Sequence, residues 1–288
     1  MESLKQKLII PDELHRAASE AGVDIAKNKE NFPILSREFS ETERRNIAKT
    51  KQALLKLPLT HSSSRETAGD LKPHSAMPAR EYSHTGQLDI DLGLNRCVFM
   101  QWGAVEKSGG YGRFHTLVDP EKLFEDPRSF VTPYDITHAT FTQNVHFEAT
   151  TPQQKEHIKN QYFSKILSGS DWLELTARET YLQTRKGEGL VIGSGGQLGE
   201  VKFFGVIPKD YVSKAVGPYE EHAEWADMFM NGFIAGPVHR SRYAMNDYDT
   251  TPAELGLTGT EASDFWRNLY QSPVASTMLS ESVTIKSV

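Results

Sequence analysis

The chain has 288 residues, a formal net charge of -6 and one cysteine, Cys97. A single cysteine excludes an intramolecular disulfide and a cysteine-rich metal cluster. The acidic balance and the lack of a lysine–arginine stripe argue against a nucleic-acid partner, and the lack of an apolar run of the ~20 residues that a membrane span needs argues against a membrane partner.

The first part of the chain predicts a lead-in and a capped helix. Residues 1–40 are polar and interrupted by prolines, which indicates a mobile or loosely helical lead-in. Ser40 and Glu43 then form an S-x-x-E capping box. The helix that follows is predicted to run until Pro58 ends it, and residues 59–61 are predicted to form a short strand.

The middle of the chain predicts two strands and two helices. Residues 97–102 form an apolar, aromatic run that is typical of a buried strand, and residues 113–119 predict another strand. Apolar residues at helical spacing predict one helix over 152–167, with Gly169 as its stop, and a second over 172–185.

The third part of the chain contains a glycine-rich loop, residues 193–196, between two predicted strands. The first is 190–192, and the second begins at Glu200. Alternation along the second strand places Val201 on one face and Glu200 and Lys202 on the other. A further helix is expected around 220–233. Strands separated by helices and irregular segments favour an α+β fold.

Three motifs occur in an informative order. In chain order they are His61 with the serines 62–64 at a strand end, the segment Tyr-Gly-Arg-Phe at 111–114 after the strand 97–102, and Glu200 after the glycine-rich loop. Over residues 59–216 this order resembles the ADP-ribosyltransferase superfamily, and its bacterial effector and toxin branches in particular.

The resemblance implies a fold, a domain organisation and a reaction. The fold would be α+β with a split, mostly antiparallel β core. The core would span 41–216, preceded by the lead-in 1–40 and followed by a helical and loop extension, 217–288, packed on it. The chain would be a mono-ADP-ribosyltransferase that moves ADP-ribose from NAD, its substrate, to a protein acceptor and releases nicotinamide.

The same resemblance implies a location and a partner. A bacterial effector of this kind acts on a host protein. Both a ubiquitin-like protein and a signalling protein are possible acceptors. Residues 1–10 lack the apolar core and cleavage site of a signal peptide. We therefore expect either secretion into the host cytosol by a route that needs no signal peptide or a cytoplasmic protein.

The resemblance also assigns roles to residues. Glu200 would be the catalytic carboxylate, because a fixed carboxylate stabilises the oxocarbenium-like centre that forms when the bond to nicotinamide breaks. His61 would be both catalytic and NAD-binding, through hydrogen bonds to ribose hydroxyls. The other predicted NAD-binding residues are Ser62, Ser63, Tyr82, Tyr111, Arg113 and Phe114. Among these, Tyr111 is the first candidate to stack on the nicotinamide ring and Arg113 to contact the pyrophosphate.

The sequence departs from the family at one position and leaves alternatives open. Leu198 stands two residues before Glu200, where arginine-modifying members carry Glu or Gln, so an acceptor side chain other than arginine is favoured.

Histidines 61, 74 and 84 have no metal-site spacing, and no metal is expected. The alternatives are a non-catalytic protein-interaction module on the same scaffold and an NAD glycohydrolase that transfers ADP-ribose only to water.

Overall fold

A mostly antiparallel seven-stranded sheet forms the centre of the structure, which confirms the predicted α+β class and the predicted mostly antiparallel strands. The computed structural model describes residues 7–57, 59–63, 69–73, 87–103, 114–132, 159–160, 162–184, 190–192, 200–218 and 238–240. The predicted helix over 220–233 and the glycine-rich loop 193–196 lie outside these residues.

The helices and strands follow each other along the chain in a mixed order. The helices are α1 (Asp12–Glu20), α2 (Pro33–Ser36), α3 (Glu41–Leu54), α4 (Gln87–Asp91), α5 (Pro120–Glu125) and α6 (Gly169–Thr184). Short 3-10 turns occupy Ile25–Asn31, Leu94–Arg96 and Lys209–Tyr211. The strands are β1 (Leu59–Ser63), β2 (Cys97–Trp102), β3 (Phe114–Val118), β4 (Ser129–Thr132), β5 (Leu167–Ser168), β6 (Leu190–Ile192), β7 (Glu200–Phe204), β8 (Val212–Pro218) and β9 (Val238–Arg240).

The strands of the main sheet lie in the order β5-β4-β7-β2-β1-β3-β8, and every neighbouring pair is antiparallel. The late strand β7 is therefore inserted between β4 and β2, in the interior of the sheet. Strand β6 forms a separate two-stranded parallel sheet with β9. Glu200 is the first residue of β7. This arrangement places it opposite Gln101 of β2 and Thr132 of β4, which lie 99 and 68 positions earlier in the chain.

The two faces of the sheet pack against two apolar clusters. One cluster contains Val201 and Phe203 of β7 with side chains of α3 and α6. The other contains Phe130 of β4 with side chains of α1, and Phe204 packs against it. Successive residues of a strand point to opposite faces, so the alternation predicted for β7 is confirmed.

The N-terminal segment contains helix, as one of its two predicted forms allows, but it is attached to the core and not loose. Leu14 and Ala18 of α1 are fully buried and lie four residues apart, on one face of the helix. Asn28 is buried as well, and its Nδ2 donates to the carbonyls of Phe163 at 2.6 Å and Ile166 at 2.8 Å. A narrow buried face among charged residues carries little composition signal, although it fixes the segment to the core.

Local signals were accurate at some element ends and not at others. The capping box of Ser40 and Glu43 is present as predicted, and α3 ends at Leu54, a few residues before Pro58. Gly169, predicted as a helix stop, instead begins α6. A Cβ at this position would lie 2.5 Å from Ser129 Oγ, so close approach to β4 explains the glycine.

Candidate functional site

The main sheet divides between β1 and β2. Their backbone ladder consists of two pairs, Leu59 with Trp102 and Thr60 with Gln101. Beyond Thr60, β1 continues to pair with β3 as far as Ser63, and β2 continues to pair with β7 back to Cys97. The second half of β1 and the first half of β2 therefore belong to two different parts of the sheet, which are joined at one end only.

His61 lies where the two strands separate. Its Nδ1 is 2.9 Å from the carbonyl oxygen of Phe99. The Gln101 carbonyl accepts a bond from Thr60 Oγ1 on β1, and carbonyls two residues apart on a strand point to the same side, so the Phe99 carbonyl also faces β1. The imidazole thus takes the place of the next backbone ladder bond and holds the opening between the strands.

This contact fixes the tautomer of His61. A carbonyl oxygen only accepts, so Nδ1 must carry the proton and donate. In the neutral ring, Nε2 is then the acceptor nitrogen. His61 is 8% exposed, so most of the ring is held in the protein. An acceptor at Nε2 can take a hydrogen bond from an O–H or N–H donor.

Glu200 starts β7 and takes part in a compact polar network. Its Oε2 accepts hydrogen bonds from Lys202 Nζ and, at 3.3 Å, from Thr132 Oγ1 on β4. Lys202 Nζ also donates to Thr132 Oγ1 at 2.6 Å and lies 5.1 Å from the centre of the Phe99 ring. The Lys202 side chain is 0% exposed and that of Glu200 16%. The orientation of the Glu200 carboxylate is therefore fixed by the buried ammonium of Lys202.

Two rows of polar residues cross this face of the sheet. In the first row Glu200 is directly opposite Gln101, which is opposite Thr60. In the second, the Oγ of Ser62 lies 3.0 Å from Nδ1 of the buried His115. Neighbouring strands lie about 4.8 Å apart, so the backbone of Glu200 is roughly 10 Å from that of β1.

The predicted site residues are only partly brought together. Ser62 lies on the face of Glu200, whereas Ser63 and its cross-strand partner Phe114 lie on the opposite face. By the same alternation His61 starts on the face opposite to Thr60, but its ring lies in the gap between β1 and β2, where it contacts the Phe99 carbonyl. The remaining predicted contacts, Tyr82, Tyr111 and Arg113, lie outside the described residues.

Burial keeps the one cysteine of this face neutral. Cys97 is the first residue of β2 and is opposite Phe204. Desolvation raises the pKa of its thiol to about 12, against the opposing effect of the positive charges of Lys202 and Arg96. The thiol is therefore a poor nucleophile at neutral pH, and Glu200 and Lys202 form an ion pair on this face.

A separate hollow of about 570 Å³ lies at the start of β4, away from Glu200, and its polar groups largely satisfy each other. Arg128 donates to both carboxylate oxygens of Asp126, and Tyr211 Oη donates to the same carboxylate. Burial raises the pKa of Asp126, but these hydrogen bonds outweigh it and leave the pKa below its usual value. The hollow thus has a structural ion pair on its wall.

Sequence reasoning missed three residues of the Glu200 network. Lys202 was placed on the Glu200 face, and the E-x-K spacing on a strand is the signal that predicts their contact. Gln101 lies in the predicted strand β2, but its partner on β7 is 99 positions away. Thr132 ends a strand that the sequence did not predict, and no local pattern reveals its bond to Glu200.

Comparisons with known proteins add no relative. No protein-family model matches the chain, and neither the curated proteins nor the solved structures contain a match. Among the described helices, none has the length and apolar composition needed to cross a membrane.

Proposed function

We propose that the chain is a mono-ADP-ribosyltransferase that uses NAD as its substrate and Glu200 as its catalytic carboxylate. The observation that supports this most directly is the division of the sheet between β1 and β2. His61 lies in that opening, and Glu200 lies on β7, the strand next to β2. One strand thus separates an acceptor imidazole from a fixed carboxylate, a spacing that a ribose and its leaving group can bridge.

Glu200 stabilises the positive charge that develops on the ribose as the bond from C1′ to the nicotinamide nitrogen breaks. The bonding electron pair leaves with nicotinamide. A nucleophile of the acceptor then bonds to C1′ and gives up its proton. The contact with the ribose hydroxyl falls to the Glu200 carboxylate, whose Oε2 binds Lys202 and Thr132.

His61 and Gln101 supply acceptors for the substrate. His61 accepts a ribose O–H at Nε2, since Nδ1 donates to the Phe99 carbonyl. The side-chain oxygen of Gln101 is buried, and no group of the described residues donates to it. Such an atom is costly until a donor reaches it, and a substrate hydroxyl or amide N–H satisfies it. The residues present therefore fit a ligand rich in hydroxyl donors.

The acceptor is a protein, by the proposal, and a host protein in the case of a secreted effector. Residues 217–288 would recognise it. In support of this role, Val238–Arg240 of that segment pairs with β6, the strand that precedes the loop leading to Glu200. A ubiquitin-like protein and a signalling protein are the two acceptor classes to test.

The test is release of nicotinamide from labelled NAD by the purified full-length chain, with and without host-cell lysate. Glu200→Gln keeps the shape of the side chain and removes its charge, and we expect release to fall at least about 100-fold. The matched control is Glu174→Gln, which removes another ion-paired carboxylate, bound to Arg178 and Lys51 on the α6 side. We expect this control to keep its activity.

The outcomes separate the rival functions. Label on a protein band, lost in Glu200→Gln and kept in Glu174→Gln, supports the transferase. Nicotinamide release with no labelled protein in any lysate indicates the NAD glycohydrolase. A folded protein that binds no NAD in calorimetry, while residues 217–288 bind a protein partner, indicates the non-catalytic interaction module and refutes the proposal.

A further inference from the structure

Lys202 is an unusual residue for the interior of a sheet. Its side chain is completely buried, yet three groups surround its ammonium: the carboxylate of Glu200, the hydroxyl of Thr132 and the face of the Phe99 ring. An ammonium has three donors and no acceptor; the carboxylate and the hydroxyl accept two of them, and the ring adds a cation–π contact. The carboxylate and the hydroxyl thus offset part of the cost of burying this side chain.

The three contacts come from three adjacent strands. Thr132 is on β4, Glu200 and Lys202 are on β7, and Phe99 is on β2 directly opposite Lys202. Glu200 and Lys202 share a face because they are two residues apart. Since each partner is fixed by strand register, the Lys202 ammonium holds one oxygen of Glu200 at a defined point in the sheet.

We propose that Lys202 is a positioning residue for Glu200: it binds Oε2, fixes the orientation of the carboxylate in the sheet and keeps the carboxylate ionised in acid. This inference rests on the proposed transferase function. A cation next to a carboxylate favours its charged form. Without Lys202, Glu200 would take up a proton at a higher pH and would also lose its fixed orientation.

The described groups that face this pair come from the neighbouring strands and from the segment before β2. Thr132 and Phe99, which face it from β4 and β2, are uncharged. Cys97 of β2 remains a neutral thiol, and Arg96 and Asp89 act on it from the segment before β2. His115 lies further along this face, in the second polar row on β3, and Tyr162 belongs to the apolar cluster that packs on the same face. The acid limb of the pH profile of nicotinamide release therefore tests the Glu200–Lys202 pair. The His115→Gln variant checks that this limb does not come from His115.

The experiment measures nicotinamide release against pH for the full-length wild type and for Lys202→Met, which keeps length and apolar contacts but removes the charge. We expect kcat to fall about tenfold or more, KM for NAD to stay within about twofold, and the acid limb to move up by about one pH unit or more. Lys29→Met is the control, because it removes a partly exposed ion pair with Asp171 far from β7.

A second variant covers the case in which Lys202→Met fails to fold. Thr132→Val leaves both charges in place and removes a donor to Oε2; we expect a smaller fall in kcat and an acid limb shifted in the same direction. If the wild type releases nicotinamide and Lys202→Met has the same kcat and the same acid limb, the role of Lys202 is overturned. Where Lys202→Met is unfolded, the same result in Thr132→Val overturns that role. Absence of release by the wild type instead overturns the proposed function.

Discussion

The Glu200–Lys202 pair makes a strong prediction about stability that does not depend on catalysis. Glu200→Gln leaves the Lys202 ammonium in the core without a counter-charge, and Lys202 is 0% exposed. Removing one member of a buried ion pair costs about 3 kcal/mol or more, because the other charge stays desolvated. At roughly 2–4 °C per kcal/mol for a chain of this size, the melting temperature should fall by roughly 6–12 °C.

The two single variants should differ, because the two members of the pair differ in exposure. Glu200 is 16% exposed, so after Lys202→Met water can partly solvate the carboxylate, and we expect a loss of about half that of Glu200→Gln. The double variant leaves no unpaired charge. We therefore expect it to be within about 1 kcal/mol of the wild type, since neutral replacements of similar shape often cost little.

The assay is urea unfolding followed by circular dichroism on the wild type, both single variants and the double variant. These four proteins form a double-mutant cycle, and the coupling free energy is read from the midpoints at constant m-value. Costs that simply add in the double variant would show that the two side chains do not interact, and the account of the network would then fail. A stable double variant that releases no nicotinamide would separate folding from catalysis.

Three further predictions use other contacts. His61→Asn keeps a donor for the Phe99 carbonyl but loses Nε2, so NAD affinity should fall at nearly constant stability; equal affinity by calorimetry contradicts the role of His61. Asn28→Ala removes two hydrogen bonds to buried carbonyls and should cost about 1–3 kcal/mol in urea unfolding; an unchanged midpoint would mean that the N-terminal segment is not anchored. Cys97 has a folded pKa of about 12, so between about pH 9 and 12 the unfolded chain binds fewer protons and stability falls with rising pH. The Cys97→Ala variant should show a shallower fall in that window, and parallel curves would contradict the burial of the thiol.

The sequence predicted well where the information is local. The capping box needs only Ser40 and Glu43, and both bonds form. Strand β2 needs only its own apolar run, and it spans the predicted residues Cys97–Trp102. Alternation along β7 likewise depends on neighbours in the chain, which is why the faces of Val201 and Lys202 agree with expectation.

Prediction was poorest where contacts join distant parts of the chain. The bond between Thr132 and Glu200 connects residues 68 positions apart, and its partner strand β4 has only four residues. Strand β9, from the part expected to be a helical and loop extension, pairs with β6 over three residues. Such short strands have too few residues for a periodic pattern to form, and their existence depends on the partner.

The geometry of the candidate site depends on β2 more than on either proposed functional residue. His61 and Glu200 are 139 positions apart, and they come near each other because β2 pairs with β1 on one side and β7 on the other. On the β1 side the pairing stops after Thr60, and the Phe99 carbonyl is left to the imidazole. On the β7 side the pairing is continuous, and the Phe99 ring lies against the Lys202 ammonium that binds Glu200. The backbone and side chain of Phe99 therefore link both halves of the site, although the sequence predicts only a buried strand over residues 97–102.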